Sequence, residues 1–108
     1  YRKNMLSEYE GFYASVFYCY FASCGLNVIA EDRTNQGMID MTLLYKDRAY
    51  IFEFKVVESL AEGKALQQII DRKYYEKYTD KCSQIYLIGV EFSKDKRNIT
   101  AFDVQKMS

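Results

Sequence analysis

At 108 residues, 49% hydrophobic and 17% aromatic with eleven Tyr and seven Phe, the chain suits one domain around one packed core and is too apolar to be disordered. Fifteen acidic and fifteen basic residues give zero net charge, so no overall basic field marks a nucleic-acid binder. The absence of His excludes a His triad, a His zinc site and a His general base. No apolar run approaches the roughly 18 residues of a membrane span, and Tyr1 opens no signal-peptide pattern, so a cytoplasmic protein with no membrane partner is expected. The missing initiator Met leads to the expectation of a piece cut from a longer protein. Cys19, Cys24 and Cys82 have no metal-ligand spacing and read as small hydrophobes in a reducing compartment.

Tyr9, Phe12, Tyr13, Val16, Phe17, Tyr20, Phe21 and Cys24 follow helical spacing, which predicts a helix over residues 7–24. Ser7 is its N-cap, Glu10 completes a capping-box pattern and Gly25 is the stop. Strands follow at about 26–31, 38–45 and 49–57, with turns at Asn35-Gln36-Gly37 and Lys46-Asp47-Arg48. Leu60 to Tyr78 has helical periodicity through Ala61, Ala65, Leu66, Ile69, Ile70 and Tyr74. Ile85 to Val90 is a near-continuous apolar run, as in a strand covered on both faces. The polar turn Ser93 to Arg97 leads to a last strand near 99–104. The order is αβββαββ, one α/β domain (α+β, mixed sheet) over residues 1–108.

Three charges in these strands need an explanation. Asp40 lies in the second strand, and Glu53 and Lys55 lie on one face of the third. A charge taken from water costs several kcal/mol unless it is paired or bound to a metal. With Asp47-Arg48 as a two-residue hairpin loop, Asp40 falls opposite Lys55 and diagonal to Glu53, within about 5–8 Å. Asp40 and Glu53, helped by the Phe54 carbonyl, are then oxygen ligands for Mg²⁺ or Mn²⁺. Such a metal polarises a phosphate and acidifies a bound water, and Lys55 orients that water or stabilises the growing charge. The plainer reading is a buried salt bridge. Glu10 shares a helix stripe with Leu6, Tyr13 and Phe17, and its plainer role is to close the capping box. Gln68, beside Ala61 and Ala65, faces the sheet as a hydrogen-bond donor to a bound water or phosphate, or else lies at a helix rim. The tyrosines Tyr74, Tyr75 and Tyr78 read as packing, with base stacking as the alternative. The Ser93–Arg97 run reads as a solvated turn able to touch a phosphate backbone.

The succession Glu10, Gly37-x-x-Asp40, Glu53-Phe54-Lys55 and Gln68-Ile69 resembles the PD-(D/E)XK nuclease superfamily. Tyr50-Ile51-Phe52-Glu53-Phe54-Lys55, Ala65-Leu66-Gln67-Gln68-Ile69, Tyr74, Glu76-Lys77-Tyr78, Ile88-Gly89-Val90-Glu91-Phe92 and Arg97-Asn98-Ile99 look like one bacterial branch. In it, this domain follows an AAA-ATPase-like domain. The resemblance runs from about Glu8 to the end. It implies a restriction-endonuclease-like fold with Glu10, Asp40, Glu53, Lys55 and Gln68 as active-site positions, a metal-dependent nuclease acting on DNA, and an upstream AAA-ATPase-like partner domain. Ile39 replaces the namesake Pro. Met38 stands where the branch leads one to expect Arg, with Arg33 as the compensating cation. Two readings follow: an enzyme hydrolysing phosphodiester bonds, or a catalytically weak nuclease-fold module that binds nucleic acid or a partner protein. Paired cuts in a duplex would require a homodimer or a second active site.

Overall fold

The structure, a computed structural model, describes the backbone of residues 2–107 and the side chains of residues 9–107. The elements are α1 (Arg2–Ser23), β1 (Asn27–Thr34), β2 (Gly37–Tyr45), β3 (Arg48–Val57), α2 (Lys64–Arg72), a 3₁₀ segment (Tyr74–Tyr78), β4 (Gln84–Ser93) and β5 (Asn98–Met107). The strands form one five-stranded sheet in the order β1-β2-β3-β4-β5. Neighbours are antiparallel except β3 and β4, which run parallel as α2 carries the chain across. This is a mixed α+β fold compatible with the restriction-endonuclease-like architecture expected from the sequence.

The sheet is covered on both faces. On one, Tyr13, Phe17 and Phe21 of α1 pack on Met41, Leu43, Phe52, Phe54, Ile88, Val90 and Phe92. On the other, Ile69 of α2 and Tyr74 and Tyr78 of the 3₁₀ segment pack on Ile39, Ala49, Ile51, Ile85 and Leu87. The β4 apolar run is therefore buried on both sides, as a central strand must be. Tyr74 and Tyr78 are core residues and present no free face for stacking. Among the described residues no helix is long and apolar enough to cross a membrane.

Several sequence expectations are corrected. The first helix begins at Arg2, so Ser7 lies inside it and is no N-cap; its side chain lies outside the described residues. The helix does stop at Gly25, whose φ of 80° lets Leu26 N–H reach back to the Phe21 carbonyl. The apolar stripe of α1 is wider than the face it buries, leaving Phe12, Val16 and Tyr20 exposed. Helix 60–78 is really two pieces. Leu60 and Ala61 precede α2, and Lys73 at φ 53° ends it before the 3₁₀ turn. Periodicity persists across that break because both pieces rest on the same sheet face. Cys19 and Cys24 are exposed rather than packed, and all three cysteines are free.

Candidate nuclease site

The β2–β3 hairpin turns on Lys46-Asp47, not Asp47-Arg48, with Lys46 at φ 55°. The register pairs Tyr45 with Arg48 and Met41 with Phe52. Each partner of β2 is thus displaced by two residues from the expected pairing, and Asp40 follows Met41 toward Glu53 rather than toward Lys55. A two-residue shift preserves the face of each paired residue.

The ladder between β2 and β3 ends at Met41 and Phe52. Beyond it, the alternation of faces reverses. Met41 belongs to the α1-side core and Ile39, two residues earlier, to the α2-side core. On β1 the interruption lies at Glu31, the residue facing Asp40 between the pairs Ala30–Met41 and Asp32–Ile39. Glu31 has φ 51°, an uncommon conformation for a residue with a side chain. Such an irregularity re-aims a side chain, and here it re-aims Asp40.

Strand β3 therefore outruns β2, and backbone groups facing the gap need partners. Asp40 Oδ2 accepts the Phe54 N–H at 2.8 Å, and Glu10 Oε2 accepts the Val56 N–H at 3.0 Å. Glu10 thus reaches 46 residues along the chain to the sheet edge, and does not close a capping box with Ser7. Alternate strand residues point the same way, so the Phe54 carbonyl belongs to this same edge.

Glu53 is 3% exposed. Its Oε2 accepts from Gln68 Nε2 at 3.0 Å and lies 3.9 Å from Lys55 Nζ. Its Oε1 is buried with no partner. Burial, then the charge of Asp40 and a proton shared between the two carboxyls, pushes the Glu53 carboxyl well above the usual carboxylate range. Burial raises Asp40 as well, against the hydrogen bond from Phe54 N–H. Two carboxyls this close compete for one negative charge unless a cation joins them. All five sequence-derived positions, Glu10, Asp40, Glu53, Lys55 and Gln68, thus gather on or against the exposed edge of β3.

Gln68 arrives there through residues the sequence argument did not single out as functional. Glu91 on β4 is fully buried, and its carboxylate accepts the N–H groups of Glu62 (2.7 Å), Lys64 (2.6 Å) and Ala65 (3.4 Å). The start of α2 has Gly63 at its N-cap, with no side-chain cap and no acid in its first turn. A carboxylate from the neighbouring strand thus does the capping and meets the positive end of the helix. Gly89, paired with Glu53 across β3 and β4, lies so close to α2 that a Cβ there would sit 2.4 Å from Leu66 N. The usable signal was a carboxylate at the end of an apolar strand, the same reasoning that picked out Glu53.

A second buried network lies on the α2 side of β1. Asp32 accepts from Thr42 Oγ1 at 2.8 Å, from Tyr78 Oη and from Lys77 Nζ, which also donates to the Arg33 carbonyl. Arg33 faces Met38 across β1 and β2, and Met38 lines a cleft of about 640 Å³ with Glu10, Tyr18, Glu31 and Asp40.

Comparison with curated proteins finds a relative from Azotobacter chroococcum mcd 1, described as an uncharacterized protein in the vnfD 5′ region. It is 50% identical over 107 residues, covering 99% of this chain and 21% of that protein. The chain thus spans about a fifth of the length of the curated relative it matches. No solved structure matches significantly. The family model that matches residues 8–102 takes in α1, the irregular β1–β2 pair, the β3 edge and the α2–β4 brace, and by that match the chain belongs to the PD-(D/E)XK nuclease superfamily.

Proposed function

We propose that this domain is a divalent-metal-dependent nuclease hydrolysing phosphodiester bonds in DNA. The observation that carries the reading is Glu53 Oε1, a buried carboxyl oxygen that no protein donor group reaches, beside a second, half-buried carboxyl, Asp40. A native structure seldom leaves such an atom unsatisfied unless a proton or an ion belongs there. Members of the superfamily typically use divalent metals, and the donors here fit one. Asp40, Glu53 and the Phe54 carbonyl are hard oxygen donors. Mg²⁺ needs only one or two carboxylates, the rest of its shell being water and phosphate. When bound, the ion polarises the phosphate and acidifies a water.

The chain's own residues supply the rest. Gln68 holds Glu53 Oε2, fixing which oxygen is free. Lys55 Nζ, part-exposed at 3.9 Å from Glu53, is placed to donate to an attacking water or to a phosphate oxygen as charge builds. Asp40 and Glu10 take the Phe54 and Val56 N–H groups, holding the edge of β3 straight where no strand supports it.

A catalytically weak binding module is the second reading, favoured by Met38, which brings no charge to the Asp40 cleft. An upstream ATPase-like domain is part of the proposal and rests on the sequence resemblance alone; the Azotobacter relative is about five times as long as this chain, which leaves room for further domains. The test is cleavage of labelled single-stranded and duplex DNA in Mg²⁺ or Mn²⁺ by wild type, Asp40→Ala and Lys55→Ala. Activity in wild type that is lost in both variants supports the enzyme. Equal rates in all three preparations would sink it.

A further inference from the structure

The parallel strands β3 and β4 end side by side at Val57 and Ser93. Ligands of open α/β sheets gather beyond the carboxyl ends of such strands. A pocket of about 320 Å³ opens there, lined by Tyr9, Tyr13, Val56, Phe92, Ser93, Lys94 and Arg97. It adjoins the candidate site: Val56 donates to Glu10, and Glu10 follows Tyr9 on α1.

Its floor is rigid. The Tyr13 ring stacks on Phe92 at 3.7 Å and 6°. The turn after β4 is tied back to β3 by Lys94 N–H to the Val57 carbonyl (2.8 Å) and Asp95 N–H to the Glu58 carbonyl (2.9 Å). Arg97 sits at φ 55°, with its N–H held by the Ser93 carbonyl at 2.8 Å. Two features are uncommitted. Tyr9 is 41% exposed, and neither Lys94 nor Arg97 makes an ion pair among the described residues.

An aromatic wall beside two cations on a tied-down turn is the chemistry that holds a nucleotide: the base stacks and its phosphate meets the charges. The volume lies at the low end for small-ligand pockets, which suits one nucleotide rather than a base pair. We propose that this pocket is a subsite for an unpaired nucleotide of a DNA strand, beside the site described above, so that the substrate enters as a single strand or an unpaired end. Calling that neighbouring site nucleolytic rests on the proposed function; the binding claim does not.

The test measures fluorescence anisotropy of labelled oligo-dT and of a blunt duplex hairpin closed by an ethylene-glycol linker in place of a nucleotide loop, in EDTA so that neither metal nor cleavage contributes. Wild type should bind oligo-dT more tightly than the hairpin. Tyr9→Ala should weaken oligo-dT binding by about 5-fold to 150-fold, the usual loss for one stacked base, and leave hairpin binding unchanged. Lys94→Ala/Arg97→Ala should reduce the slope of log affinity against log salt by about 1.4, at roughly 0.7 per phosphate contact on a single strand. All three positions are exposed or part-exposed, and unchanged circular dichroism confirms the fold. No oligo-dT binding by wild type, unchanged affinity in Tyr9→Ala, or an equal loss on the hairpin overturns the proposal. Because the readout is metal-free binding, an inactive but oligo-dT-selective protein would refute the nuclease reading and leave the subsite standing.

Discussion

Gln68 Nε2 donates to Glu53 Oε2 at 3.0 Å, while Oε1 of the same carboxyl is buried and unpartnered. One oxygen is thus held by the protein and the other is left for a proton or a cation. Since burial and Asp40 both raise the Glu53 pKa, the metal-free protein holds that proton at neutral pH. Mg²⁺ or Mn²⁺ binding must then expel it. Calorimetry at pH 7 in two buffers of different ionisation enthalpy should show release of about one proton, with affinity rising as pH rises. Identical heats in both buffers would contradict the assignment.

The same raised pKa has a consequence for stability. Between the unfolded and folded pKa values the native state binds the proton and the unfolded state does not, so the slope of stability with pH is negative. The contribution is complete below the unfolded value, near 4.5, and is lost as pH rises toward the folded value. Glu53→Gln, which cannot ionise, should flatten the fall in Tm of the metal-free protein between pH 6 and pH 9. It should also abolish metal binding. A variant whose Tm follows the wild-type pH profile would show that another group is responsible.

Glu91 should influence the site through α2. Glu91→Ala removes the acceptor of three N–H groups at the helix start and should cost about 2–4 kcal/mol in denaturant unfolding. Glu91→Gln keeps the shape and tests positioning: it should lower Mg²⁺ affinity about tenfold in wild type, the usual scale for an outer partner of a metal ligand. In a Gln68→Ala background the same change should have little further effect, because the helix would have nothing left to position. Additive losses in the double variant would mean that Glu91 only stabilises the fold.

The charges on the β2–β3 hairpin were legible because carboxylates in an apolar strand contradict their surroundings, whatever the register. The register itself was not: Lys46-Asp47 and Asp47-Arg48 are equally good polar turns, and only Lys46 adopting φ 55° decides between them. The reversal at Glu31 and Asp40 was invisible for a similar reason. Neither residue is a glycine, and the strain is held by the packing of β1 and β2 rather than advertised by residue type. The α2 boundary was lost because a hydrophobic stripe continues through Lys73 into the 3₁₀ turn. Glu10 shows the reverse case. Its local pattern suggested a capping box, and its true partner lay 46 residues away.

Gly89 should tolerate no side chain. An added Cβ would meet backbone atoms of Leu66, at 2.4 Å from N and 2.8 Å from Cα, and backbone cannot rotate aside. Gly89→Ala should therefore push α2 off β4 at an overpacking cost of about 1–3 kcal/mol. Because Gly89 neighbours Glu53 across the strands, Gln68 should retreat with the helix. Denaturant unfolding measures the first effect, and the side-chain amide resonance of Gln68 reports the second. Wild-type stability with an unmoved resonance would show that α2 has room to spare.

Asp32 governs the behaviour in acid. Burial alone would raise its pKa, but the hydrogen bonds from Lys77, Tyr78 and Thr42 outweigh that and hold it below the ordinary 3.8. A depressed carboxylate stabilises the fold above its unfolded pKa and loses that contribution as pH falls through the folded value. Wild type should thus lose stability below about pH 4. Asp32→Asn removes the charge while keeping the shape. It should cost about 2–3 kcal/mol at pH 7, since Lys77 and Tyr78 lose a charged acceptor, and much less at pH 3, where the wild-type advantage is fading. Urea unfolding of both proteins across that range measures the difference. A cost independent of pH would mean that the network is held by shape and hydrogen-bond count, and that the Asp32 charge contributes nothing to it.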